Sequence, residues 1–304
     1  MSANSIEKKT RTFLPIISVV QTLMPLRLAR FFIRRTTSRT VLDAGVHRES
    51  VIADGVACEW ITPQNSLADK VLLYLHGGGF VYGITSMHLQ MCAYLAEKMG
   101  MRVLMVDYRL APDHPFPAAQ DDCVTAYLWL LNQGISAKDI VIAGDSAGAN
   151  LTLTVMMKLR DRELPLPAAA ACLSPVVDLT AERQEKEGFK DPLLPPRAIK
   201  LYNQSYVGEH EARDALISPI FGDLNGLPPL LVHVGEQEVL CQDAMRITKL
   251  AESSGVEVRL EVFPRMWHVW QLHLALPQAV ESLADVAQFL KSHMGLKSTQ
   301  PNAS

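Results

Sequence analysis

The chain has 304 residues, 48% hydrophobic and 20% charged, the balance of a folded globular protein with material for a sizeable core rather than of a disordered or low-complexity chain. A net charge of -3, without any block of five or six basic residues, gives nucleic acid no electrostatic handhold. The five cysteines, Cys58, Cys92, Cys123, Cys172 and Cys241, are odd in number, widely spaced and nowhere arranged as C-x-x-C; this argues against a disulfide framework or a zinc site and fits a reducing, cytoplasmic compartment.

In chain order, the first feature is an apolar run from Phe13 to Leu28 behind Lys8, Lys9 and Arg11. Pro15 and Pro25 interrupt it, Arg27, Arg30, Arg34 and Arg35 follow closely, and no small-residue cleavage site stands in place. It therefore reads neither as a signal peptide nor as an integral membrane span, which needs about 18 or more uninterrupted apolar residues. An amphipathic, Arg-flanked helix pair covering an apolar site is expected, with contact to a membrane surface as the alternative. Val41–Arg48 and Val56–Thr62 read as two strands joined by a turn near Asp54–Gly55, so the sheet should open with an antiparallel pair.

From about residue 70, short apolar runs alternate with longer amphipathic ones, the pattern of a parallel sheet wrapped by helices. Strands are expected at Val71–Leu75, Arg102–Val106, Ile140–Gly144, Ala169–Leu173, Leu230–Val234 and Glu257–Phe263, and helices over about 88–99, 118–132, 147–162, 241–254 and 277–292. Gly134 and Gly255 stand just past two of these helices, and Pro277 opens the last. Residues 1–40 and 181–215 break the alternation. The second segment carries a charged run, Glu182 to Glu187, then Asp191-Pro-Leu-Leu-Pro-Pro196. An α/β domain over 41–180 and 216–296 is expected, with a helical cap from 1–40 and 181–215 and a polar tail at 297–304. Phe13, Leu23, Phe31, Phe32, Leu193, Leu194, Tyr202 and Tyr206 supply the cap's apolar and aromatic side chains.

The strand Ile140-Val-Ile-Ala143 runs into Gly144-Asp-Ser-Ala-Gly148 and directly into a helix, which is G-x-S-x-G in the context that gives it meaning: a tight turn thrusts Ser146 outward on a strained backbone above a helix N-terminus. About 70 residues earlier, a strand ends in His76-Gly-Gly-Gly-Phe80, whose backbone N–H groups can complete an oxyanion hole. No Gly-Lys-Ser/Thr follows, which argues against a phosphate cradle. His76 itself reads as a structural hydrogen-bonder. A serine hydroxyl needs a base, and the base needs a carboxylate to hold its tautomer. Of nine histidines, His268 in Pro264-Arg-Met-Trp-His-Val-Trp270 stands in the loop between the last strand and the last helix, at the sheet's C-terminal edge. His233 lies in a strand, His47 in the early hairpin, and His88, His273 and His293 in or beside helices. The acid should follow strand Leu230–Val234: Glu238 is the choice, Asp243 the runner-up and Glu236 the third.

The elements HGGGF and GDSAG, with the stretch Asp107-Tyr-Arg-Leu-Ala-Pro-Asp-His-Pro-Phe-Pro-Ala118, together resemble the hormone-sensitive lipase-like esterases over about residues 45–295. The resemblance implies an α/β-hydrolase fold and a triad of Ser146, Glu238 and His268, with backbone oxyanion donors at Gly78, Gly79 and Ala147. Asp145 and residues 108–118 would support that site. Two departures stand out: Ala149 replaces a glycine often found after GDSAG, and Glu238-Val replaces the usual Asp-Pro. The activity implied is a serine carboxylesterase acting on short- to medium-chain acyl esters through an acyl-enzyme, needing neither cofactor nor metal; a homodimer also fits the resemblance. An amidase or deacetylase with the same triad is the nearest alternative. A ligand-binding receptor on this scaffold, as in the gibberellin receptors that lack the histidine, is disfavoured by His268.

Overall fold

The computed structural model describes residues 6–14, 24–180 and 191–296. The charged run, Pro15, Leu23 and the tail expected at 297–304 lie outside them.

Residues 6–14 are helical, and the first helix after them, α1, spans Leu26–Thr37. Strands β1 (Val46–Ala53) and β2 (Val56–Pro63) form the expected antiparallel pair. The first strand begins and ends five residues later than the expected 41–48, which it overlaps only at 46–48. Asp54 and Gly55 both take positive φ, 48° and 92°, as a two-residue primed turn requires. The strand must therefore run up to Ala53, and Val41 is left exposed outside it. There follow β3 (Leu67–Leu75), α2 (Ser86–Met99), β4 (Met101–Val106), α3 (Ala118–Asn132), β5 (Ile140–Asp145) and α4 (Ala147–Asp161). The chain continues through β6 (Ala170–Leu173), α5 (Pro196–Val207), β7 (Leu230–Gly235), α6 (Cys241–Ser253), β8 (Val258–Phe263) and α7 (Pro277–His293). Gly134 and Gly255 both take positive φ just past their helices, and Pro277 begins α7.

The eight strands form one sheet in the order β1-β2-β4-β3-β5-β6-β7-β8. Strand β2 is antiparallel to both its neighbours and the other pairings are parallel. Strands β5, β6 and β7 are buried at every position, which is why they read as continuous apolar runs. Their residues alternate between faces. Leu73, Ile142 and Val232 pack with Cys123, Leu151 and Ile247 of α3, α4 and α6, while Leu72, Val141 and Leu231 pack with α2 and α7 through Leu89 and Leu283. The thiols of Cys58, Cys92, Cys123 and Cys172 are free and buried in these layers, and Cys241 is half-buried and in no disulfide.

This topology brings the C-terminal ends of β3, β5, β7 and β8 to one edge, where ligand sites of such sheets lie. Helices α1 and α5 sit over that edge. Tyr206 of α5 stacks on Phe80 at 3.7 Å between ring centroids, and Arg30 of α1 donates to the Val81 carbonyl at 2.7 Å. Leu14 is fully buried against Met266, Trp267 and Trp270, so the helical residues 6–14 pack on the loop that follows β8.

Candidate active site

Ser146 stands between β5 and α4 with φ 53° and ψ -116°, a conformation that L-residues other than glycine rarely hold. The surroundings enforce it. The Ser146 N–H donates to the Leu173 carbonyl at 2.8 Å. A Cβ at Gly144 would lie 2.4 Å from the Gly148 carbonyl oxygen, and one at Gly148 would lie 1.8 Å from that of Leu75. Glycine at both positions is thus a packing requirement, and it is what lets the turn close beneath β3.

The Ser146 hydroxyl lies 2.9 Å from His268 Nε2, and His268 Nδ1 lies 3.5 Å from Glu238 Oε1. The second distance is long for a hydrogen bond but within ion-pair range, as is common before substrate binds. All three residues are buried. Burial alone would lower the His268 pKa, but the hydrogen bond and charge of Glu238 outweigh it, and the imidazole is held above its ordinary value. Burial likewise dominates at Glu238 and raises its carboxyl, against the opposing pull of His268 and Ser174. Asp243, the runner-up, lies in the first turn of α6 and accepts the Val177 N–H at 3.0 Å. Glu236 accepts the Arg265 N–H at 3.0 Å. The structure thus brings Glu238, rather than either alternative, to the histidine.

Gly78 and Gly79 follow β3 with φ of 116° and 62°, and their N–H groups, with that of Ala147 at the start of α4, find no backbone acceptor among the described residues. A helix N-terminus leaves such donors free. Asp145 holds the glycine loop in place: its Oδ1 accepts the Tyr74 hydroxyl at 2.7 Å and the Gly77 N–H at 3.0 Å, and Oδ2 faces His88 Nε2 at 3.3 Å. Burial opposes its charge, yet His88, Tyr74 and Gly77 together keep its pKa below the ordinary value. His76 has the structural role expected of it. Its Nδ1 pairs with the Gly77 carbonyl at 2.7 Å, its ring stacks on Tyr108 at 4.2 Å, and burial lowers its pKa to about 4. The Tyr108 hydroxyl donates to the His76 carbonyl at 2.7 Å, which ties the stretch after β4 to the same loop.

Two residues that sequence reasoning passed over complete the frame. Ser174, at positive φ just after β6, donates to Glu238 Oε2 at 2.8 Å and accepts the Val269 N–H at 3.2 Å, so one hydroxyl holds both the acid and the histidine loop. Asp191 accepts the N–H groups of Leu193 and Leu194 through Oδ1 and that of Val239 through Oδ2 at 3.0 Å, joining the segment before α5 to the acid loop. An Asp-Pro pair is a turn signal in sequence; that its second oxygen reaches the acid loop is not.

A cavity of about 500 Å³ opens above Ser146, His268, Gly78 and Gly79. Phe32 and Ile33 of α1 and Leu193, Leu194 and Tyr202 of the α5 region form its far wall. Tyr202 packs directly on the glycine loop, since a Cβ at Gly79 would lie 2.5 Å from its ring. Of the cap side chains singled out in the sequence, Tyr206 is buried but does not reach the cavity wall, and Phe13 and Phe31 face solvent instead. The lining is mostly apolar, with Ser146, His268 and a few further polar side chains such as Asn203 among it, the arrangement of a small-molecule site.

The family model of the alpha/beta hydrolase fold matches residues 72–272. An acetyl-hydrolase of Streptomyces hygroscopicus is 38% identical over 257 residues, covering 83% of this chain and 86% of its own. An esterase of Acinetobacter venetianus is 38% identical over 242 residues, covering 78% and 80%. The crystal structure of an esterase from the bacterial hormone-sensitive lipase family superposes with a TM-score of 0.86 at 36% identity, over 94% of this chain and 98% of that one. The strand order, the serine turn and these likenesses agree: the chain belongs to the alpha/beta-hydrolase fold family, with the esterases of the bacterial hormone-sensitive lipase type.

Proposed function

We propose that the protein is a serine carboxylesterase that hydrolyses short- to medium-chain acyl esters through an acyl-enzyme. The observation that carries this reading is the 2.9 Å contact of the Ser146 hydroxyl with His268 Nε2 at the floor of an apolar cavity. Ser146 Oγ attacks the ester carbonyl as His268 takes its proton, and Glu238 holds the imidazole and stabilises its charge. The backbone N–H groups of Gly78, Gly79 and Ala147 receive the oxyanion. His268 returns the proton to the departing alcohol, and water then repeats the sequence to release the acid. Residues 1–40 and 181–215 act as the cap that closes the acyl site.

The relatives named acetyl-hydrolase and esterase support ester over amide substrates. A homodimer and a cytoplasmic location belong to the same proposal. The free thiols support a reducing compartment, and the open edge of β8 offers a surface for pairing; light scattering tests the dimer. Among the described residues no helix is long and apolar enough to cross a membrane.

The test is turnover of matched ester and amide substrates by the native chain and by Ser146→Ala. Ester hydrolysis that exceeds amide hydrolysis by orders of magnitude, and is lost in the variant with the circular dichroism spectrum unchanged, is expected. Undiminished turnover in Ser146→Ala would remove the nucleophile assignment.

A further inference from the structure

Helix α1 buries one side and leaves the other unusually rich in two kinds of residue. Its sequence, LRLARFFIRRTT, holds four arginines and no acid. Ala29 and Ile33 turn inward, whereas Leu28, Phe31 and Phe32 are exposed, Phe31 at 58%. Helix α5 repeats the pattern: Arg197, Lys200 and Leu201 are exposed, Leu201 at 56%, and the helix again contains no acid. In a chain whose net charge is -3, the cap helices are a basic exception.

The two helices share a side of the molecule. Both line the cavity above Ser146, α1 through Phe32 and Ile33 and α5 through Ile199 and Tyr202. Phe32 lines the cavity and is also 47% exposed, so it marks the mouth. Arg30 is tied to Asp113, and the charge of Arg27 also acts on that carboxylate, while Arg35, Arg197 and Lys200 are exposed. Exposed aromatic and aliphatic side chains ringed by exposed cations are the composition that seats a protein in the headgroup region of an anionic bilayer. A second copy fits the face poorly, because a two-fold contact would set its arginines against their own equivalents.

We propose that the outer faces of α1 and α5 form an interfacial docking surface for anionic phospholipid bilayers. Phe31, Leu28 and Leu201 enter the headgroup boundary while Arg27, Arg35 and Lys200 meet lipid phosphates. The cavity mouth then faces the lipid, and an ester dissolved in the bilayer reaches Ser146 without crossing bulk water. This inference is independent of the triad's chemistry, because binding is read on the Ser146→Ala protein.

The experiment is co-sedimentation of full-length Ser146→Ala protein with vesicles of phosphatidylcholine alone or mixed with phosphatidylglycerol. Binding to the mixed vesicles is expected, weakening as salt shortens the range of the charges. Adding Arg27→Glu with Arg35→Glu should lower the partition coefficient roughly tenfold or more, and Phe31→Ser should lower it independently. The same changes in the active chain should leave turnover of a soluble acetyl ester unchanged, which also shows that the variants fold. Should an α1 variant misfold, Lys200→Glu with Leu201→Ser tests the same face from α5. Equal binding to neutral vesicles, no binding to either, or a native dimer that Phe31→Ser dissociates would each overturn the proposal.

Discussion

Ser146, His268 and Glu238 differ in how firmly the structure holds them, and their expected responses to substitution differ accordingly. Glu238 is the group that lifts the His268 pKa against burial, and only the neutral imidazole can accept the serine proton. Activity should therefore fall as pH drops through a value above 6.5, the ordinary value of the side chain. Glu238→Gln removes the charge responsible, so the acid limb should move to lower pH while kcat falls by orders of magnitude; loss of the acid costs about 10⁴ in a serine protease. Asp243→Asn keeps an acceptor for the Val177 N–H and should cost little. A pH–rate profile of both variants separates the two carboxylates, and a larger loss at Asp243 would transfer the role to it. Ser174→Ala leaves Glu238 Oε2 without its side-chain donor and the buried Val269 N–H without an acceptor. An orphaned buried polar group costs about 1–3 kcal/mol, so a ten- to hundredfold loss in kcat is expected. Ser174→Thr, which keeps the hydroxyl, should recover part of it if the role is positioning.

The turn between β5 and α4 was legible in the sequence because a local pattern enforces it: glycines at 144 and 148 stand where any Cβ would strike backbone. Strands β5, β6 and β7 were legible because complete burial demands apolar residues throughout. Strand β1 was misplaced for the opposite reason. It is an edge strand with mostly exposed or half-exposed positions, so His47, Arg48 and Glu49 cost it nothing and mask its pattern, while the apolar Val41 lies outside. Ser174 carries no local signature, and the Asp-Pro pair at 191 signals a turn but not the contact with the acid loop. Ser174 matters because β6 and β7 are neighbours, with Leu173 opposite His233, and that adjacency is a property of the sheet rather than of any window of sequence. The N-terminal elements belong to the same class. Arg30 reaches carbonyls near Val81 and Ala111, and Leu14 is buried against Met266 and Trp267, so these residues support the glycine loop and the histidine loop from outside. Removing residues 1–35 should accordingly expose apolar surface, lower the melting temperature and impair activity, as measured by thermal unfolding and turnover of the purified truncated chain. A truncated protein that retained both its solubility and its acyl preference would show the segment to be dispensable.

At the scale of the whole molecule, the proposed triad sits at the C-terminal edge of the sheet, and α1 and α5 wall the cavity above it. The cavity holds about 500 Å³, its walls are mostly apolar, and its far side is made of packed helices with Tyr202 wedged against the glycine loop. Each methylene transferred from water into such a space contributes about 0.8 kcal/mol, close to fourfold in kcat/KM where the contact is made in the transition state. The gain ends when the space is filled. A longer chain must then displace Leu193, Leu194 or Phe32, and forcing extra volume into packed side chains costs about 1–3 kcal/mol. Specificity constants for a series of p-nitrophenyl esters should therefore rise from acetate, pass through a maximum at short to medium length and fall steeply beyond it. Binding at an anionic bilayer would concentrate the enzyme beside its substrate without enlarging the cavity, so it should raise rates for all bilayer-dissolved esters and leave the position of the maximum where it is. For a neutral ester no rise in rate is expected as it passes from solution into an emulsion, because α1 and α5 are anchored to the glycine loop, through Arg30 on the Val81 carbonyl and Tyr202 and Tyr206 against Gly79 and Phe80, and are not a free flap. Replacing Leu193 or Leu194 by Ala should shift the maximum toward longer chains by removing part of that wall. If the preference is unchanged in both variants, or long-chain triglycerides in emulsion are hydrolysed as readily as soluble butyrate, then something other than this cavity sets the acyl limit.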